Sequence, residues 1–338
     1  MCSNLIKSKK GNVYLKASKD IIYSVLKMQR IFDKRNVILL KINESDLNSF
    51  LVDIDIDDSG INRYMLEEFA KVVMDVIPEY VFAQYSNDEI NDLNAVEKLR
   101  EAAHSIYKIK EFDLMRKYYL EGNLAAKQEL DNSAYKNRGE FGELILHLLL
   151  RDFKGTIPLI SKVYFKDASG VPAHGFDTVH VSPNERVLWL GESKFYSDGK
   201  QGIKKLLEDL NAHFKKEYLE EQFIIIKKNL ECNKIPQRQY WINELANCNK
   251  LCDRLNMINI PMLCAYENDI YTKYKDLTDT KAVEYHELNI RELKQYFDDE
   301  NNHPLKSRLN IILLLLPVKD KKELIKLLHE KLWHMQNM

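Results

Sequence analysis

Three charged residues stand where the pattern around them asks for a buried sheet. The segment GFDTVHVSPNERVLWLGESKFY, residues 175–196, reads as two strands joined by a tight turn. Alternation puts Asp177, Val179 and Val181 on one face of the first strand, with Phe176, Thr178 and His180 on the other. Leu188, Leu190, Glu192 and Lys194 share a face of the second. Turn chemistry at Ser182-Pro183-Asn184-Glu185 makes Pro183 to Arg186 a four-residue loop, which pairs Ser182 with Val187 and sets Asp177 opposite Glu192. Opposed acids with Cβ atoms about 5 Å apart repel each other. In an apolar sheet each is also costly to ionise, and Lys194 offsets only part of that. A divalent cation resolves the conflict, because Mg²⁺ takes hard oxygen ligands and is commonly held by one or two carboxylates plus waters. Two acids and a lysine are the groups a metal-dependent hydrolase of phosphodiesters needs. The metal polarises the phosphoryl oxygen and acidifies a water, and the lysine orients or activates that water and screens developing charge. The alternative is a surface hairpin whose acids face water. Leu188, Trp189 and Leu190 weigh against it, as does Gly191, which lets another backbone or a ligand come close.

The preceding helix, NRGEFGELILHLLLRDF, is apolar almost all round and should be buried. Its interruptions, Glu140, Glu143 and His147, form one polar stripe. Aimed at the hairpin, the stripe offers Glu143 as an extra metal ligand or water-orienting group, with Glu140 second. It could equally be the helix's solvent-facing edge. His147 and His180 read as hydrogen-bonded structural histidines. After the hairpin, FYSDGKQGIKKLLEDLNAHF opens a helix whose first turns carry Lys200, Gln201, Lys204 and Lys205. Gln201 and Lys205 are candidates for phosphate contact, although a solvated lysine face has the same appearance.

Stepping outward from these groups, the first 40 residues read as a basic lead-in with a helix around ASKDIIYSVLKMQRIF. SFLVDIDID alternates like a strand. RYMLEEFAKVVMDVIPEYVF has helical spacing that stops near Pro78, and residues 88–130 are polar and helical. An α/β succession then follows: a helix at 138–153, a strand near 157–166, the hairpin and a helix at about 199–220. The strand FIIIKK, another helix, the strands INIPMLCAY and LNIILLLLPV, and the helix KDKKELIKLLHEKLW complete it. The expected fold is α/β, a mixed sheet flanked by helices with a mostly helical N-terminal elaboration. The expected divisions are 1–47, 48–130 and 131–338.

The chain has 338 residues, 45% hydrophobic and 30% charged, with a net charge of −1, the balance of a globular protein. Charge is distributed in blocks. Residues 1–40 hold nine Lys or Arg against two acids, residues 41–100 fourteen acids against five basic residues, and residues 301–338 seven basic residues against three acids. Such blocks suit nucleic-acid edges, partner contacts or plain solvated faces. IILLLLPV is too short to span a bilayer, and MCSNLIKSKKGNVY lacks the apolar run of a signal peptide. Five irregularly spaced cysteines point to reduced structural thiols in a cytoplasm, with Cys264 inside a buried strand.

Glu143, then Asp177, then Glu192-Ser193-Lys194 is similar to the PD-(D/E)XK nuclease pattern. There a helix glutamate, a strand aspartate and an E-x-K tripeptide surround one or two Mg²⁺ ions. The resemblance implies metal-ligand roles for Asp177, Glu192 and Glu143 and a catalytic role for Lys194. Phe176 stands where that pattern usually has proline. From about residue 48 to 330 the chain resembles more closely the HamA family, the nuclease subunit of the Hachiman anti-phage defence system. SFLVDIDIDDSGINRYMLEEFAKVVMDVIPEYVF, RGEFGELILHLLL, GFDTVHV, LWLGESKFY and LNIILLLLPVKDKKELI carry that likeness. It implies a Mg²⁺-dependent (Mn²⁺ as substitute) DNA endonuclease with little sequence specificity, held in check by a helicase partner of the HamB type. Two other readings stay open: a non-catalytic scaffold on a nuclease-like fold, and an RNA or tRNA nuclease using the same groups.

Overall fold

LNIILLLLPV is a continuous apolar run, the mark of a strand covered on both faces, and it lies near the middle of the sheet. The computed structural model describes residues 37–82, 93–106, 114, 116–118, 120–126, 139–161, 175–182, 186–232, 238–247 and 250–338. Among them, seven strands form one mixed sheet in the order β1-β2-β9-β8-β7-β6-β5. The strands are β1 (Ile38–Asn43), β2 (Leu47–Val52), β5 (Ile157–Ser161), β6 (Thr178–Ser182), β7 (Val187–Phe195), β8 (Ile258–Glu267) and β9 (Asn310–Val318). β2, β9, β8 and β7 run parallel; β1 and β6 flank them antiparallel, and β5 pairs antiparallel with β6 at the edge. A separate two-stranded hairpin joins β3 (Ile54–Ile56) to β4 (Asn62–Tyr64).

Helices cover both faces. One face carries α1 (Leu66–Asp75), α2 (Ile77–Phe82), α3 (Ala95–Ile106), α4 (Glu140–Lys154) and α11 (Lys321–Gln336), whose apolar residues share a core with Trp189, Leu263 and Leu314. The other carries α5 (Gly199–His213), α6 (Lys216–Cys232), α7 (Arg238–Asn247), α8 (Leu251–Asn256) and α10 (Thr280–Glu300), packed on Val179, Leu188, Leu190, Met262 and Leu313. A short helix, α9 (Ile270–Lys273), follows β8 and packs with Leu51 and Leu277 in a small third cluster. No helix of the described residues is long and apolar enough to cross a membrane.

Several elements differ from the sequence expectation. FIIIKK is not a strand. It lies inside α6, where Leu219, Phe223, Ile226 and Leu230 are buried at helical spacing and Ile224 is 57% exposed. A short apolar run has no periodicity of its own, so its neighbours decide. The helix expected over 199–220 breaks at Phe214, which turns into the core, and α6 starts afresh. The first helix does stop near Pro78, at Asp75, and a second, α2, begins at Ile77 with Pro78 inside its first turn. The proline's missing N–H and fixed φ fit that turn. SFLVDIDID is two strands parted at Asp53, the second ending on the exposed Ile56. Ile38–Asn43, within the stretch read as lead-in, is a strand of the main sheet. The helix expected around ASKDIIYSVLKMQRIF lies outside the described residues, as do the loop residues Pro183 to Glu185.

Candidate active site

The hairpin register follows from its two ends. Ser182 pairs with Val187 and Thr178 with Gly191, and the Asp177 N–H donates to the Gly191 carbonyl at 3.0 Å. Thr178 and Asp177 thus both stand against Gly191, a bulge-like irregularity that takes Asp177 out of the direct opposition to Glu192 expected from the turn, although the two carboxyls stay near enough to repel each other. At this point β6 ends, while β7 runs on beside β8 through Phe195. The β7–β8 ladder also lapses where Pro261, with no N–H, lies against Gly191. A Cβ on Gly191 would fall 2.5 Å from Thr178 Oγ1, 2.9 Å from Leu146 and 3.2 Å from Pro261. Gly191 thus serves packing, not approach of a ligand.

Asp177 and Glu192 are both buried, at 5% and 2% exposure. Asp177 Oδ2 accepts from the Ser193 N–H at 2.8 Å and the Ser193 hydroxyl at 2.9 Å. His213 Nδ1 lies 2.6 Å from Glu192 Oε1. Burial, with Asp177 second, pushes the Glu192 carboxyl up to about 7, against the opposing pull of His213. Lys194 pairs with Asp209 of α5. Burial works against its charge, but Asp177, Asp209 and Glu192 outweigh that and raise its pKa, so it stays an ammonium. The two contacts made by α5 share one register. Residues 192 and 194 on a strand are about 6.6 Å apart and residues 213 and 209 on a helix about 6 Å, so strand and helix match rung for rung.

On the other face, α4 brings Glu140 and Glu143 in its first turn, both buried. The polar stripe of α4 is thus not a solvent edge. Tyr80 of α2 donates its hydroxyl to Glu143 Oε2 at 2.7 Å. Burial first, then Glu143, Asp177 and Glu140, push that phenol well above its ordinary range. Gly142 brings α4 onto the E-S-K tripeptide, since a Cβ there would sit 3.2 Å from Ser193 Oγ. Gln201 and Lys205 lie apart from the carboxylates, both exposed on α5. The Gln201 N–H donates to the N-capping Asp198, and Lys205 pairs with Glu208.

His147 and His180 are the buried structural pair their surroundings suggested. His147 Nδ1 meets His180 Nε2 at 3.1 Å, and His180 Nδ1 meets Thr156 Oγ1 at 2.8 Å. Burial lowers both, His147 well below its usual value and His180 to about 3. They stay neutral in the fold while the unfolded chain takes up protons below about pH 6.5. Their stabilisation is therefore full above that pH and is lost on acidification toward pH 3, by about 1.4 kcal/mol per pH unit for His180. Glu192, raised to about 7, acts in the opposite sense, so the test compares two proteins that share it. Denaturant unfolding of His180→Asn should show a shallower loss of stability between pH 6.5 and 4 than the parent chain. Equal slopes would refute the assignment.

Tyr80, Ser193, Asp209 and His213 were not singled out by sequence reasoning. Asp209 and His213 stand one helical turn apart, a spacing visible in the sequence, but nothing there aims that face at the hairpin. Among the described residues, no three His, Cys, Asp or Glu side chains gather into a ready-made metal cage. The donor set nonetheless suits Mg²⁺, which needs one or two carboxylates and keeps waters for the remaining positions. Two neighbouring acids, one of them pushed up to about 7, are the charge conflict such an ion removes.

The HamA family model matches residues 29–332. The chain belongs to the HamA family. HamA membership puts the protein in Hachiman anti-phage defence and implies that it acts with a partner. No curated protein matches the chain. Within this HamA chain the matched span includes every residue of the buried acidic cluster and both helices that hold it.

Proposed function

We propose that this HamA protein is a divalent-metal-dependent DNA endonuclease with the PD-(D/E)XK arrangement, the effector of its defence system, controlled by a helicase partner. The observation that carries this reading is the buried, mutually repelling pair of Asp177 and Glu192, with Lys194 two residues along the strand from Glu192. Asp177 and Glu192 would hold the ion, with Glu143 close by on α4. Bound there, Mg²⁺ supplies Lewis-acid polarisation of the phosphodiester and a water of lowered pKa. The protein does the rest through fixed charge. Ser193 holds Asp177 by two donors, which leaves its carboxylate no freedom to swing from the strand end. Lys194, held as an ammonium by the neighbouring acids, screens charge building on the phosphoryl oxygens.

Supercoiled plasmid incubated with Mg²⁺ or Mn²⁺, with and without the partner, tests the proposal. Nicking or linearisation that needs the metal, and that weakens steeply with added salt, is expected because affinity comes from phosphates. Single-stranded and duplex RNA offered under identical salt determine the sugar preference. No cleavage of any nucleic acid under either condition would remove the catalytic reading.

A further inference from the structure

We infer that His213 is a positioning residue: it holds the Glu192 carboxylate in the orientation a divalent cation requires. The inference rests on the metal-dependent reading above. His213 Nδ1 lies 2.6 Å from Glu192 Oε1, and with its proton on Nδ1 it holds that oxygen and leaves the other oxygen of the carboxylate for a cation. The ring cannot readily swivel out of this contact. Tyr218 of α6 stacks on it at 4.6 Å with an interplanar angle of 11°, and Phe176 meets it edge-on at 5.9 Å and 84°. Phe176 precedes Asp177 in the chain, so the slot that fixes the imidazole is built partly from the backbone that delivers the other acid. Each acid of the site has a donor of its own: Ser193 for Asp177, Tyr80 for Glu143 and His213 for Glu192. Outer hydrogen-bond partners of this kind orient ligating groups, and their loss commonly lowers metal affinity about 10- to 100-fold.

Packing and positioning make opposite demands on the replacement side chain, and this separates them. His213→Phe keeps the flat ring between Tyr218 and Phe176 but has no N–H. His213→Gln gives up the stack but can donate an amide hydrogen to Glu192. Mn²⁺ titrated into the full chain without nucleic acid, with free Mn²⁺ read by electron paramagnetic resonance, gives the affinity. Thermal unfolding in EDTA gives the packing. The expected result is an affinity loss of about tenfold or more for His213→Phe, with unfolding close to the parent protein. His213→Gln should unfold earlier and still bind Mn²⁺ nearly as the parent does. If His213→Phe binds as the parent does, the inference is overturned. Should the Phe variant not fold, the Gln variant decides: retained affinity supports the role and lost affinity overturns it. A parent chain that takes up no Mn²⁺, or a Glu192→Ala variant that binds it unchanged, overturns the metal site itself and this inference with it.

Discussion

Lys194→Ala should lower metal-dependent DNA cleavage by at least about 100-fold, within the range expected when a positioned proton-handling or charge-stabilising side chain is lost, and should leave the fold intact. The lysine is about a quarter exposed and its ion pair with Asp209 is similarly open. Removing it costs more than the roughly 1 kcal/mol of an open surface pair, because Asp177 and Glu192 stay buried without their cation, but less than is needed to unfold the domain. Its electrostatic setting is different from that of a surface lysine. Burial alone would drive the amine toward neutrality, yet Asp177, Asp209 and Glu192 together keep it charged. Initial rates of plasmid nicking at matched Mg²⁺, beside thermal midpoints, give the comparison. A variant that folds and cuts at the parent rate would show that Lys194 has no part in the chemistry. Glu192→Gln sharpens the test, since the amide can stay beside His213 while its negative charge is gone.

Gly202→Val should destabilise the protein by about 3 kcal/mol, the upper end for overpacking a close-packed core. A Cβ at residue 202 would lie 2.5 Å from the Cys264 sulfur. Cys264 is fully buried in β8, between β7 and β9, so the sheet cannot recede. The helix must move instead. Asp209 and His213 ride on α5 beyond that contact, so cleavage should fall together with stability. Cys264→Ala removes the obstructing atom, and the double variant should recover part of the loss. Denaturant midpoints around the four corners of this cycle measure the coupling. A Gly202→Val chain as stable as the parent would mean that α5 is not pressed on the sheet as described.

The readable parts of this molecule were those whose local pattern admits one answer. The β6–β7 register followed from turn position and alternation, because a slip by one residue would have put Val179, Val181, Leu188 and Leu190 on the wrong face. α4, β8, β9 and α11 were legible for similar reasons: long apolar runs or sustained helical periodicity. FIIIKK misled because four apolar residues carry no period, and the helix is declared only by Leu219 before it and Leu230 after it. α10 was passed over although it is 21 residues long, since its polar face dilutes the apolar stripe of Ile290, Leu293 and Phe297. In the site, Asp177, Glu192 and Lys194 stood out because charge in a buried strand needs an explanation. Their supporters did not. Tyr80 and His213 are ordinary residues of ordinary helices until tertiary packing brings each to a carboxylate.

β2 pairs with β9 through Leu47–Ser49 and Leu313–Leu315, so the two ends of the chain close one sheet between them. On the ribosome, residues near 50 can pair locally with β1, but their β9 edge waits until nearly the whole polypeptide has emerged, and such distant closures come late in folding. The hairpin bearing Asp177 and Glu192 can zip early from local contacts, but β7 rests on β8 and β8 on β9. A truncated translation product therefore lacks the platform beneath its acids. Under the proposed nuclease activity, this order of assembly would withhold the blade until synthesis is nearly complete.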